Sequence, residues 1–267
     1  MLRFSGAGVS DVGRIRPHNE DSAFHGPYVA VVADGVGGAA AGEVASATAA
    51  YVVAATALAR FGDDPAAVLV DAVQDAHASL RAGVAADDEL AGMATTLTAL
   101  VTDGSRVVLG HVGDSRAYLV RDGAIHQISQ DHTYVQHLVD SGQLDPAERF
   151  GHPWSNVVLR SLDGGPDQAF DVTELEVRPG DRLLLCSDGL SDLVRDERIA
   201  EVLRLSDPHS AAAVLTQSAL LAGGKDNITA VVLDVVDGPL VVGDGRLLGA
   251  LRDVQNIVDP GSVHVAR

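Results

Sequence analysis

The 267-residue chain has one cysteine, no run of about 18 uninterrupted apolar residues and about half as many basic as acidic side chains. Each shortage removes a class of protein. A single thiol excludes an intramolecular disulfide, and Cys186 follows Leu183, Leu184 and Leu185, where it reads as a small core residue rather than a nucleophile. The N-terminal MLRFSGAGVSDVGR has no basic region followed by an apolar stretch, so neither a leader nor a membrane span is expected, and the location expected is cytoplasmic. The balance of 19 Lys and Arg against 37 Asp and Glu gives a formal charge of −18, which sets the chain against nucleic-acid backbones and anionic membranes. No Ser-His-Asp or Cys-x5-Arg arrangement is evident, and no paired His-x-x-x-His, which disfavours covalent catalysis and zinc.

What the chain does have is four aspartates that end or closely follow short apolar runs: Asp34 in VAVVADGVGG, Asp114 in VVLGHVGDSR, Asp188 in RLLLCSDGLSD and Asp226 in GGKDNITAVV. A carboxylate at a strand end is aimed by a rigid element, and several aimed at one place need cations between them. Strands are predicted at about 28–33, 96–102, 106–112, 116–121, 124–128, 170–177, 182–187 and 228–236. Asp103-Gly104, Asp122-Gly123 and Pro179-Gly180 read as hairpin turns, which implies antiparallel pairing. Helices are predicted at about 42–60 and 65–82, before the central strands, and at 196–204 and 208–222, before the last, with Asp207-Pro208 as a start signal. Two helix pairs with mainly antiparallel strands suggest a layered α+β sandwich. Residues 131–165 are irregular apart from a helical piece at 133–140, and residues 237–267 read as a short tail forming a hairpin or helix, or mobile.

In order, the segments RIRPHNED, ADGVGG, GMATTLTA, VGDSRAYL, SDGLSD and GKDNIT resemble the metal-dependent protein phosphatases of the PPM (type 2C) family in their bacterial Ser/Thr form. The resemblance covers roughly residues 3 to 236 and implies a phosphatase domain over 1–236 with a four-layer α-β-β-α fold. Two mainly antiparallel sheets would be flanked by helix pairs, with a mobile flap at about 131–165 beside the metals. It also implies two central Mn2+ or Mg2+ ions and a possible weaker third. Asp34 would bridge the central pair, the Gly35 carbonyl would ligate the second ion, Asp188 and Asp226 would complete the first, and Glu20 would act through water. Asp21 would stand behind these ligands and Asn227 would orient backbone. Asp114, together with Asp188, would hold the outer ion. Arg16, four residues before Glu20, is the candidate phosphate clamp, because guanidinium presents a planar fork to phosphate oxygens.

Where eukaryotic relatives carry a histidine after the Asp-Gly pair, this chain has Val36, so no motif assigns the acid for the leaving group; His18 is the nearest candidate, although a solvated side chain is the simpler reading. Trp154, the only tryptophan, reads as an anchor for the flap loop rather than a stacking platform. The function expected is hydrolysis of phosphoserine and phosphothreonine in proteins, opposing a cognate bacterial Ser/Thr kinase. A pseudophosphatase used for docking is the rival reading, against which the retained acids argue; a regulatory phosphoprotein or small phosphoesters are alternative substrates.

Overall fold

The computed structural model describes residues 1–36, 41–165, 169–205, 207–243 and 245–261. Gly37 and Gly38 of the ADGVGG segment and the terminus beyond Gly261 lie outside them. The strands are β1 (Leu2–Asp11), β2 (Asp21–His25), β3 (Val29–Val36), β4 (Ala94–Thr95), β5 (Leu97–Thr102), β6 (Val107–Val112), β7 (Arg116–Arg121), β8 (Ala124–Gln127), β9 (Asp171–Leu175), β10 (Arg182–Cys186), β11 (Ile228–Asp237) and β12 (Arg246–Gly249). The α-helices are α1 (Gly42–Ala59), α2 (Pro65–Ala86), α3 (Tyr134–Asp140), the single turn α4 (Asp188–Ser191), α5 (Asp196–Val202) and α6 (Pro208–Leu221).

The strands form two antiparallel sheets, ordered β1-β11-β10-β7-β8 and β12-β2-β3-β5-β6-β9, with β4 paired to β3. Their facing sides share one apolar layer, in which Val32, Leu100 and Leu109 of the larger sheet meet Leu183, Leu185, Val231 and Leu233 of the smaller. A second layer packs α1 and α2 on the outer face of the larger sheet through Val52, Val53, Leu69 and Leu80. A third packs α5 and α6 on the smaller sheet through Ile199, Val202, Leu215 and Ala219. This is the expected α-β-β-α order, and it follows from alternation: each strand sends successive side chains to opposite faces, and both faces are covered. Helix α1 is long and apolar enough to cross a membrane by length and composition, but 67% of that stretch is buried inside the protein, as befits a core helix. At the start of α6 the side chain of Asp207 caps the first turn by accepting from the Ser210 N–H at 2.9 Å, with Pro208 in the first helical position.

Two features differ from the sequence reading. Pro179-Gly180 does not close a hairpin, because β9 pairs with β6 in one sheet while β10 pairs with β7 and β11 in the other; the turn carries the chain between sheets. Strands β1 and β2 were not expected. Within the segment read as a tail, residues 246–260 pack on the domain, one of the arrangements the sequence left open: β12 pairs antiparallel with β2, Leu251 is fully buried, and the Tyr51 hydroxyl donates to the Pro260 carbonyl at 2.7 Å.

Candidate metal centre

Strand direction brings the four aspartates to one end of the sandwich. The end of β10 lies beside the beginnings of β7 and β11, with Cys186 opposite Arg116 and Ala230. Asp188 closely follows the first strand, Asp114 precedes the second and Asp226 precedes the third. In the larger sheet β3 ends beside the start of β2, where Asp34 and Asp21 stand opposite each other. The turn holding Asp114 crosses from β6 to β7 and so ties the two sheets together at this end.

Hydrogen bonds fix the backbone beneath these acids. Thr96 Oγ1 accepts from the Asp34 N–H at 2.9 Å and lies 2.8 Å from Ser115 Oγ, while Thr95 Oγ1 donates to the Asp34 carbonyl at 2.9 Å. The small-residue strand therefore couples the Asp34 strand to the Asp114 turn. Asn227 orients backbone: its Oδ1 accepts from the Glu20 N–H at 2.8 Å, and its Nδ2 donates to the carbonyls of Val12 and His18, each at 2.9 Å. Ser187 bridges the sheets, donating to Asp21 Oδ2 at 2.7 Å while accepting from the Thr229 N–H at 2.9 Å. Gly35 is required by space, since a Cβ there would come 2.4 Å from the Gly42 carbonyl oxygen and 2.8 Å from that of Glu20. Arg16 reaches the cluster through Nη2, 2.8 Å from Asp226 Oδ2. His18 is exposed, and Val36 is partly exposed at the end of β3.

The electrostatics are those of an acid cluster short of positive charge. Asp21 and Asp114 are buried, whereas Asp34, Asp188 and Asp226 keep one face open in the cleft. Burial, then Asp21, Asp188, Asp114 and Asp226, push the Asp34 carboxyl well above the ordinary range. Burial, then Asp114, Asp192 and Asp226, do the same to Asp188. Asp114 is raised to about 7 by burial and by Asp131 and Asp192, and Asp21 to about 6, chiefly by burial. Burial and Glu43 raise Glu20. Asp21 Oδ1 has no hydrogen-bond partner among the described residues. An all-oxygen donor set with surplus negative charge suits Mg2+ or Mn2+. Among the described residues no three of these groups converge into a closed ligand shell, so the acids line a cleft rather than pinch one point.

Two cavities share Asp188 and Asp192 in their walls. One, of about 180 Å3, includes Asp114, Asp131, Arg149, Phe150 and Arg195. The other, of about 390 Å3, lies between flap residues 151–156 and the Lys225-Asp226 loop. The flap closes on itself through a bridge between Thr133 and Val158 and is joined to β4 by a bridge between Leu162 and Thr95. Trp154 packs between Tyr134 and His152, with ring centroids at 5.6 and 5.7 Å, yet remains 53% exposed.

Residues 18–222 match the profile of the family described as Protein phosphatase 2C. The chain belongs to the protein phosphatase 2C family. It is 46% identical over 242 residues to the serine/threonine protein phosphatase PstP of Mycobacterium tuberculosis, covering 89% of this chain and 46% of that protein; it thus spans about half the length of that relative. It is 33% identical over 236 residues to the serine/threonine phosphatase stp of Listeria monocytogenes, covering 84% of this chain and 93% of that one. The fold matches the crystal structure of the M. tuberculosis PstP/Ppp phosphatase with a TM-score of 0.81 at 44% identity, over 88% of this chain and all of the other. It matches the catalytic domain of PstP in complex with two manganese ions with a TM-score of 0.78 at 44% identity, over 89% of this chain and all of the other.

Asp192 and Asp131 line the cavity beside Asp188 without having been singled out from the sequence, while Arg116, read there as structural, forms a buried ion pair with Asp131 at 2.6 Å. The signal for Asp192 was available: in SDGLSD it stands four residues after Asp188, one helical turn on the same face. Asp131 meets Arg116 only through the tertiary fold.

Proposed function

We propose that the chain hydrolyses phosphoserine and phosphothreonine in proteins at a binuclear Mn2+ or Mg2+ centre, opposing a Ser/Thr kinase in the bacterial cytoplasm. The observation that supports this reading is that Asp21, Asp34, Asp114 and Asp188 gather at one end of the sandwich, all with carboxyls raised chiefly by burial, and with Asp34 and Asp188 raised further by the neighbouring acids. Relatives named as serine/threonine phosphatases, one of them with two manganese ions, support it.

In this reading Asp34 would be shared by two cations, the Gly35 carbonyl would serve the second, Asp188 and Asp226 would serve the first, and Glu20 would act through water. Asp114 with Asp188 would hold a weaker third. When bound, such ions acidify water and neutralise phosphoryl oxygens. Arg16, now against Asp226, turns its fork to the phosphate and orients it. Asp21 and Asn227 act behind, holding β2 and the Glu20 backbone in place. Val36 has no proton to give, so the leaving alkoxide takes its proton from water held at the centre or from another residue of the cleft.

The test is phosphate release from a phosphothreonine peptide and from p-nitrophenyl phosphate, after chelation and after Mn2+ or Mg2+ add-back. Loss on chelation and recovery with either ion are expected. Undiminished turnover in excess EDTA would sink the metal centre; hydrolysis of p-nitrophenyl phosphate alone would sink the protein substrate.

A further inference from the structure

Lys225 is the only lysine in the chain. It stands beside Asp226 and lines the 390 Å3 cavity that adjoins Asp188 and Asp192. In a protein of net charge −18, carboxylates are plentiful. Yet among the described residues no carboxylate comes within 4 Å of the Lys225 ammonium, and the ammonium makes no hydrogen bond. The adjacent Asp226 is engaged instead by Arg16 at 2.8 Å. Across the cavity the flap presents His152, Ser155 and Asn156. An exposed cation with no internal partner, facing polar groups next to the acids, is placed to meet an anion brought by something else.

We propose that Lys225 and the facing flap residues form a substrate subsite for an anionic side chain, carboxylate or phosphate, one or two positions from the phosphorylated serine or threonine. The proposal rests on the phosphoprotein reading above. The spacing follows from geometry: the cavity begins at Asp188, where the phosphoryl group would dock, and each extended residue advances the peptide by about 3.5 Å. The selectivity follows from charge. A peptide carboxylate near Asp188, Asp192 and Asp226 meets repulsion, and Lys225 is the cavity's compensating cation, so its loss turns a tolerated anion into a disfavoured one.

The test compares phosphothreonine peptides that carry Glu or Gln at each of the two positions on either side, with a second phosphoserine in place of Glu as a further arm. The readout is the ratio of kcat/KM for the anionic over the neutral peptide within each enzyme, which cancels any general effect of a change beside Asp226. The Mn2+-loaded wild-type chain should favour the anionic peptide by about three- to fivefold at one position, the size of a partly exposed ion pair. Lys225→Arg should keep the preference, Lys225→Gln should bring the ratio to about one, and Lys225→Glu should invert it. A stronger response to phosphoserine or to Glu identifies the preferred anion, and either supports the subsite. A second readout uses the uniqueness of the lysine: a phosphonate analogue of the Glu peptide should slow acylation of Lys225, and the Gln analogue should not. The amino terminus, paired with Asp237 at the far end of β1, is the internal reference. A ratio unchanged by Lys225→Glu, or equal protection by both analogues, overturns the subsite alone. No phosphate release from any peptide overturns the phosphoprotein reading and the subsite with it.

Discussion

At Asp34 the folded chain holds a carboxylate pushed well above its ordinary pKa by burial and by Asp21, Asp188, Asp114 and Asp226. A carboxyl whose pKa is raised on folding contributes stability below its unfolded pKa, and that contribution is lost as pH rises through the folded value. With Asp21 at about 6 and Asp114 at about 7, the metal-free protein should lose melting temperature between about pH 4 and pH 7 from these groups. Asp34→Asn removes one of the repelling charges, so its metal-free melting temperature at pH 8 should exceed that of the parent while phosphatase turnover disappears. Calorimetry and a phosphate-release assay on the same preparation check both; a lower melting temperature with turnover intact would contradict the site. Arg16 acts differently, because its guanidinium adds a phosphate contact rather than relieving repulsion. Arg16→Ala should chiefly raise KM, costing on the order of 1.5–3 kcal/mol in kcat/KM. An unchanged kcat/KM would leave Arg16 only its contact with Asp226.

Between elements, the link that positions the centre is Asn227, at the start of β11, which holds the β1–β2 connection through Val12, His18 and Glu20. It is buried, so Asn227→Ala strands an N–H and two carbonyls, a cost of about 1–3 kcal/mol. Melting temperature should fall by roughly 2–4 °C per kcal/mol, and the Mn2+ concentration needed for half-maximal activity should rise as the Glu20 backbone loosens. Metal titrations of the two proteins would decide it. Elements of this kind differ in how legible they are in sequence. The central strands announce themselves as apolar runs, and the acids are readable because they sit at the ends of those runs. Strand β1 does not: LRFSGAGVSD buries only Phe4 and has small residues in its middle, and it exists because all ten residues pair with β11 more than two hundred positions away. Strand β2, DSAFH, is buried throughout while carrying Asp21 and His25, a pattern with no period. Asp131 escaped for the same reason, since the sequence carries no local mark of its contact with Arg116, which the sandwich makes as a whole.

For the whole molecule, the open edge of the larger sheet lies at the strand that carries Asp21, and β12 closes it. Gly249 makes the closest approach. With φ 62° and ψ −143° it occupies a region that side chains disfavour, and an added Cβ would fall 2.0 Å from the Asp21 carbonyl oxygen. Behind it Leu251 is buried in the α1 layer, contributing about 1.5–3 kcal/mol by burial alone. A chain ending at 236 would expose the β2 edge and leave Asp21 without the neighbour that packs against its backbone. Such a chain should be less stable and weaker in Mn2+ binding, and Gly249→Ala should do the same more selectively, because it leaves Leu251 in the sequence but drives the Asp21 backbone away from Asp34. Calorimetric Mn2+ titration separates the effects: reduced affinity in Gly249→Ala, in a protein that still melts cooperatively, means that the C-terminal segment positions the centre. Normal affinity there, with stability lost only on truncation, would confine the segment to covering the sheet.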